Sequence, residues 1–366
     1  MSNYAVSLLT RMLEIYSPSG EEEELSVFLA PEMERLGFHV WTDDVGNVIG
    51  ETGRGKPIIL LCGHMDTVHG RIPIRVENNQ LYGRGAVDAK TSLAAMIIAS
   101  STFIKRLPGK ILVVGVVDEE GEGKGIKHFL ESGISPDYAI FGEPSGVENI
   151  TIGYKGRLHL KITCETQAGH SAAPWLFENA VEKAIEIWKV IQELHFPQEK
   201  LESRFYSITS CLTKIRGGKE ASTVPSKCHL YMDLRIPPPL TSRQVFEEVS
   251  KRVMQYQAAN LGVSVRVKIE DLIEPFEVDS SSLLVRALSW AIRKVRSSSP
   301  RLLRKTGTGD MNVLGNALKA PVVTYGPGDS HLDHTPNEHI GIQEYLDSVQ
   351  VYREAVMKLL ELHKKR

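Results

Sequence analysis

The chain has 366 residues, with 43 Lys+Arg against 45 Asp+Glu and a formal net charge of -2. That length exceeds what one hydrophobic core usually supports, so two domains are expected. A composition of 42% hydrophobic and 24% charged residues argues against disorder, collagen-like structure and a disulfide scaffold, and the near-zero charge argues against a dedicated nucleic-acid binder.

In chain order, Leu8, Leu9, Met12, Leu13 and Ile15 recur at helical spacing, and Ser17 to Gly20 ends that first helix. Residues 21–36 read as a second helix. HVWTD and NVIGE are two short strand-like runs around Gly46. KPIILLC (56–62), ILVVGVV (111–117) and YAIF (138–141) are continuous apolar runs, as expected of strands covered on both faces. A helix is predicted over Ser92 to Leu107. This alternation implies an α/β class, a helix-covered mixed sheet. Beyond Gly153 the pattern changes. Strands over 157–165, 207–215, 227–235 and 263–269, with helices over 179–194 and 241–261, give the order β-α-β-β-α-β of a ferredoxin-like unit. Pro237, Pro238 and Pro239 mark a turn. Helices near 281–296 and 342–363 resume the first pattern. The expected division is therefore 1–153 plus 271–366, with 154–270 inserted.

Cys62, Cys164, Cys211 and Cys228 form no C-x-x-C pair, and scattered thiols fit a reducing compartment. No apolar run approaches eighteen residues, and the first twenty residues lack a secretory pattern. A cytoplasmic protein is expected.

The chemistry lies after the apolar runs. The first is followed by Gly63-His64-Met65-Asp66, the second by Asp118-Glu119-Glu120, the third by Gly142-Glu143-Pro144. Between the first two stands Gly83-Arg84-Gly85-Ala86-Val87-Asp88. In open α/β sheets ligands bind outside the carboxyl ends of the strands. A lone carboxylate there is ordinarily a cap or a solvated loop residue. Several together repel one another unless a cation neutralises them. Histidine mixed with carboxylates suits zinc, cobalt or manganese better than calcium. His331, His334 and His339 offer further ligands. A two-metal site would need about five ligands and a nearby carboxylate to accept a proton from water.

These motifs, H-x-D, G-x-G-x-x-D, E-E, E-P and H-x-x-N-E in this order, resemble the dinuclear zinc aminoacylase/carboxypeptidase superfamily over nearly the whole chain. The resemblance implies His64, Asp88 and Glu143 on one metal and Asp88, Glu120 and His334 on the other, with Asp88 bridging. It implies Glu119 as general base and later proton donor, and Asp66 as the residue that orients His64. It implies two divalent ions per subunit, zinc first and cobalt second. The inserted block would be a lid that forms a homodimer or a dimer-based oligomer. His170, in Ala168-Gly169-His170-Ser171, would stabilise the oxyanion across that dimer. Arg235 would hold a substrate carboxylate, and Thr308 lies in the glycine-rich substrate loop 306–310. The family often has Asn-x-x-Pro where this chain has Ser222-Thr223-Val224-Pro225, a departure from the pattern in which the Ser222 hydroxyl can still donate one hydrogen bond.

Gly-His-Met-Asp-Thr-Val, Val-Asp-Ala-Lys, Gly-Glu-Pro-Ser-Gly and Ile152 to Arg157 are similar to one subgroup, the hydrolases that release lysine or ornithine from the C-terminal glutamate of the acidic carrier protein LysW. An acetyl-lysine or acetyl-ornithine deacetylase, or an aminopeptidase, is the alternative within the same chemistry. A non-enzymatic binding protein would be expected to lack ligands or base. A nucleotide-dependent enzyme is disfavoured because Gly121-Glu122-Gly123-Lys124-Gly125 follows three carboxylates, which would repel a pyrophosphate. Membrane and nucleic-acid partners are not expected. Arg293, Lys294, Arg296, Arg301, Arg304 and Lys305 cluster in one segment, either a docking rim for an acidic carrier or a solvated charged stretch.

Overall fold

Apolar runs flanked by glycine and carboxylates become the buried strands at the centre of this chain. In the computed structural model, which describes residues 2–103 and 108–365, two compact units are formed. The first comprises Met1–Gly153, Glu277–Arg304 and Gly309–Arg366; the second comprises Tyr154–Phe276 and Lys305–Thr308. The second unit thus ends several residues beyond the expected boundary at 270, and it also takes in residues 305–308.

The mixed sheet of the first unit runs His39–Thr42, Val48–His64, Tyr138–Phe141, Val322–Thr324, Asn149–Tyr154, with Pro108–Val116 paired to Val48–His64. Ile59, Leu60, Leu61, Ile111, Val113 and Ala139 have no exposure, as required of strands with helices on both faces. The two runs predicted around residues 48–62 join in one extended stretch. Val48 lies opposite Gly115 and Arg54 opposite Gly109, whereas Ile58 lies opposite Lys110 and His64 opposite Val116. The register therefore reverses between Arg54 and Ile58, where Gly53 and Gly55 supply positive φ.

Parallel registers bring three strand ends to one edge. His64 lies opposite Val116, and Cys62 lies opposite Phe141. Residues 64–66, 118–120 and 142–143 consequently emerge together. The helix predicted over 92–107 is Lys90–Ser101, and residues 104–107 lie outside the described residues. It is buried on nearly all sides, with an apolar centre, residues 93–99, between small polar residues. Gly142 lets it approach the sheet, because a Cβ there would meet Met96 Cε at 2.8 Å and Ser92 Cβ at 2.9 Å. Two further short helices are Lys124–Glu131 and Asp310–Ala317. Among the described residues no helix is long and apolar enough to cross a membrane.

The second unit is an antiparallel sheet in the order Thr209–Gly217, Lys227–Ile236, Gly156–Glu165, Ser264–Ile273. Alternation puts Leu158, Leu160, Ile162, Leu230, Met232 and Leu234 on one face, where they meet Ile187 and Ile191 of one helix and Val245 and Val249 of another. Those helices are Ala180–Gln192, capped by Asn179, and Ser242–Ala259, capped by a Thr241–Gln244 box. The three prolines lie between the strand ending at Ile236 and the Thr241 cap. Leu160→Ala should destabilise this unit by about 2–5 kcal/mol in urea unfolding, whereas Lys161→Ala on the opposite face should stay within about 0.5 kcal/mol.

Candidate active site

Each strand end delivers one part of a charged cluster in the first unit. His64 ends the first strand and is fully buried. Its Nε2 lies 3.1 Å from Asp88 Oδ1 and 3.6 Å from Glu143 Oε1. Nε2 of His334 lies 3.1 Å from Asp88 Oδ2 and 2.9 Å from Glu120 Oε1. Two ligand groups result, His64–Asp88–Glu143 and Asp88–Glu120–His334, each with its donor atoms within 4.8 Å of one another and sharing Asp88. His334 adopts φ 62°, a strained conformation for a non-glycine residue of the kind often held at functional sites.

The electrostatics of this cluster call for cations. Burial, with the charges of Asp88 and Glu119, pushes Glu120 up to about 7. His334 is held at about 9 by its hydrogen bond to Asp88 and the neighbouring carboxylates, against the cost of burial. Burial disfavours a charged His64, yet its bonds to Asp66 and Asp88 and the charge of Glu143 hold it well above the usual range. Divalent cations between these groups would relieve the repulsion and remove the need for protonated rings. Imidazole and carboxylate donors in two groups with a shared oxygen donor fit a pair of such ions.

Glu119 belongs to neither group. Burial raises its carboxyl above the ordinary range; the charge of His64 opposes this, and Asp88 and Asp66 add to it. Its Oε1 accepts the Asp310 backbone N–H at 3.4 Å. That donor belongs to the loop expected to face substrate. Asp310 itself is buried, with Oδ2 lacking a hydrogen-bond partner among the described residues. Motif reading placed this residue in the substrate loop but gave its side chain no role, and its contact with Glu119 spans 191 positions.

Asp66 does more than the motif suggests. His64 Nδ1 lies 3.0 Å from the Asp66 backbone oxygen and 3.4 Å from its carboxylate. The carboxylate accepts Glu119 N at 3.1 Å, Glu120 N at 2.9 Å and Ser19 Oγ at 2.7 Å. Asp66 thus fixes His64 and the backbone of the Glu119–Glu120 pair together. Lys90, two residues past Asp88, is fully buried and donates to the backbone oxygens of Met12 and Ile15. The glycine loop after Asp118 offers no phosphate cradle, because Glu122 N and Lys124 N already donate to the Asp118 carboxylate.

The remaining expected residues lie in the second unit. Gly169–His170 pairs with Thr223–Val224, and Ser171 N donates to the Ser222 backbone oxygen. His170 Nδ1 accepts from Ala172 N, so the neutral ring carries its proton on Nε2. Arg235 bonds Asp233 at 2.7 Å and Thr308 Oγ1 at 3.4 Å. Three of the six residues of the basic segment form ion pairs within the first unit: Lys294 with Glu354, Arg296 with Glu148 and Asp347, Arg304 with Glu277.

Comparison with known proteins extends these observations. Residues 60–358 match the peptidase family M20/M25/M40. A Pyrococcus furiosus protein is 39% identical over 355 residues, spanning 97% of both chains. A LysW-lysine/LysW-ornithine hydrolase of Sulfurisphaera tokodaii is 35% identical, over 96% of this chain and 94% of that one. A LysW-lysine hydrolase of Deinococcus radiodurans is 34% identical over 97% of each. Among solved structures, the aminopeptidase PepT of Bacillus cereus superimposes with a TM-score of 0.82 at 20% identity, covering 98% of this chain and 99% of that one. A dinuclear metal binding peptidase of Bacillus subtilis gives 0.74 at 17% identity, with 98% of each covered. The chain therefore belongs to the peptidase family M20/M25/M40 and is a hydrolase.

Proposed function

We propose that this hydrolase releases lysine, ornithine or both from the C-terminal glutamate γ-carboxyl of LysW. The reading is carried by one observation: two ligand groups sharing Asp88 occur in a chain that is 34–35% identical, over nearly its whole length, to hydrolases of LysW conjugates. When bound, two divalent ions, zinc first and cobalt second, would polarise the amide carbonyl and make water acidic enough to attack. His64, Asp88 and Glu143 would hold one ion, and Asp88, Glu120 and His334 the other.

Glu119 takes the proton from water and returns it to the leaving amine. Its place outside both ligand groups and the Asp310 amide on its carboxylate support this role. Asp66 keeps Glu119, Glu120 and His64 in register. In a homodimer built through the second unit, His170 donates its Nε2 proton to the oxyanion in a neighbouring subunit's site. Arg235, Ser222 and Thr308 contact substrate, with Arg235 answering a carboxylate. Four free thiols, including Cys164 and Cys228 opposite each other on paired strands, support a reducing cytoplasm.

Acetyl-lysine, acetyl-ornithine, succinyl-diaminopimelate and LysW-linked lysine, assayed side by side, test the substrate. The carrier conjugate should be turned over fastest, and strong preference for a small free substrate would reject the reading. Glu119→Gln should retain both ions by metal analysis yet lose about 10²–10⁴-fold in rate; full activity would sink the assignment. Asp66→Ala leaves two backbone N–H groups without an acceptor and should cost about 10–100-fold in metal affinity or rate.

A further inference from the structure

Glu338 is fully buried and belongs to neither ligand group. Antiparallel pairing of Ile340 with Leu81 and His339 with Tyr82 sets it beside Gly83. Its Oε1 accepts three backbone N–H groups of the loop that ends in Asp88: Gly85 at 3.0 Å, Val87 at 2.8 Å and Asp88 itself at 3.0 Å. Its own carbonyl takes the Gly83 N–H. Gly85 makes this wrapping feasible. It sits at φ +88°, and a Cβ there would stand 3.0 Å from Lys90 and Thr67. Oε2 accepts Arg84 Nη1 at 2.7 Å. Arg84 Nη1 in turn donates to the Thr335 carbonyl at 3.2 Å, next to His334, and Nε donates to Gly70.

One ion pair therefore grips the two segments that carry Asp88 and His334. A buried ion pair is weak evidence for stability, since desolvation offsets most of its attraction. Its reward here is geometric. We infer that Glu338 and Arg84 are positioning residues that set the separation of the two metal positions, Glu338 by fixing the shared Asp88 and Arg84 by tying His334 to it. The inference rests on the dinuclear reading of the ligand groups.

Zinc uptake by the chelator-stripped full chain, read by competition with a chromogenic chelator, tests it. Wild type should take up two ions. Glu338→Gln keeps an oxygen for the amides but strands the Arg84 charge, and should bind both ions about 10–100-fold more weakly because Asp88 serves both. Arg84→Lys preserves the charge but shortens the reach to Thr335, and should weaken one ion selectively. The visible spectrum of the cobalt-loaded protein, which a purely stabilising role would not move, should change in both variants. Affinities and spectra equal to wild type, whatever the melting temperature, would overturn the positioning role. If Glu338→Gln does not fold, Arg84→Lys decides alone. Fewer than two ions in wild type would instead overturn the dinuclear reading.

Discussion

The carboxylate of Asp88 stands 3.1 Å from the ring nitrogens of both His64 and His334, the second of which is 246 residues away along the chain. Holding one oxygen pair between two rings, with Glu120 and Glu143 close by, demands that several like charges be kept together against their repulsion. Much of the surrounding architecture answers that demand. The parallel strands bring His64, Glu120 and Glu143 to one edge. Asp66 binds the backbone of the Glu119–Glu120 pair to the His64 strand, and Lys90 fastens the Asp88 loop to the carbonyls at the end of the first helix.

His64, Glu120 and Glu143 were legible as neighbours because strand ends leave a clear trace, whereas Asp88 and His334 were grouped with them only through the family motifs. A buried strand must read as a short apolar run, and the residues just past it fall at one sheet edge. The second unit was legible because a half-buried strand must alternate and a packed helix must keep its stripe. What the sequence hid were contacts that no local pattern encodes. Arg84 and Glu338 meet across 254 positions, and the Asp310 amide reaches Glu119 across 191. Within the run of basic residues before the glycine-rich loop, the partners of Lys294, Arg296 and Arg304, namely Glu354, Glu148, Asp347 and Glu277, lie elsewhere in sequence. The doubling back near Gly55 was hidden because a polar, glycine-rich stretch, residues 50–56, separates the two apolar runs that it joins.

The balanced total charge of -2 conceals an uneven distribution. In the first unit, acidic groups concentrate at the strand ends, and several basic groups are held in ion pairs. In the second, Tyr231 lies between Lys161 and Lys214, whose ammonium groups stand 5.5 Å and 5.1 Å from its ring centre, on the face of the sheet opposite the helices. The ligand groups belong wholly to the first unit, so the inserted unit is free to vary in sequence without altering the donors.

The strand order of the first sheet also governs how the protein comes into being. Val322–Thr324 lies between Tyr138–Phe141 and Asn149–Tyr154, yet the ribosome makes it last of the three. The inserted unit, nearly all of its chain in hand by Phe276, has its pairings available while the gap in the first sheet is still open. Domains fold as units during synthesis, and non-local pairings close slowly. His64, Asp88 and Glu143 are translated before the insert, whereas the His334 position cannot exist until the final strand has passed. Both candidate ligand groups can therefore be completed together only when translation is almost finished.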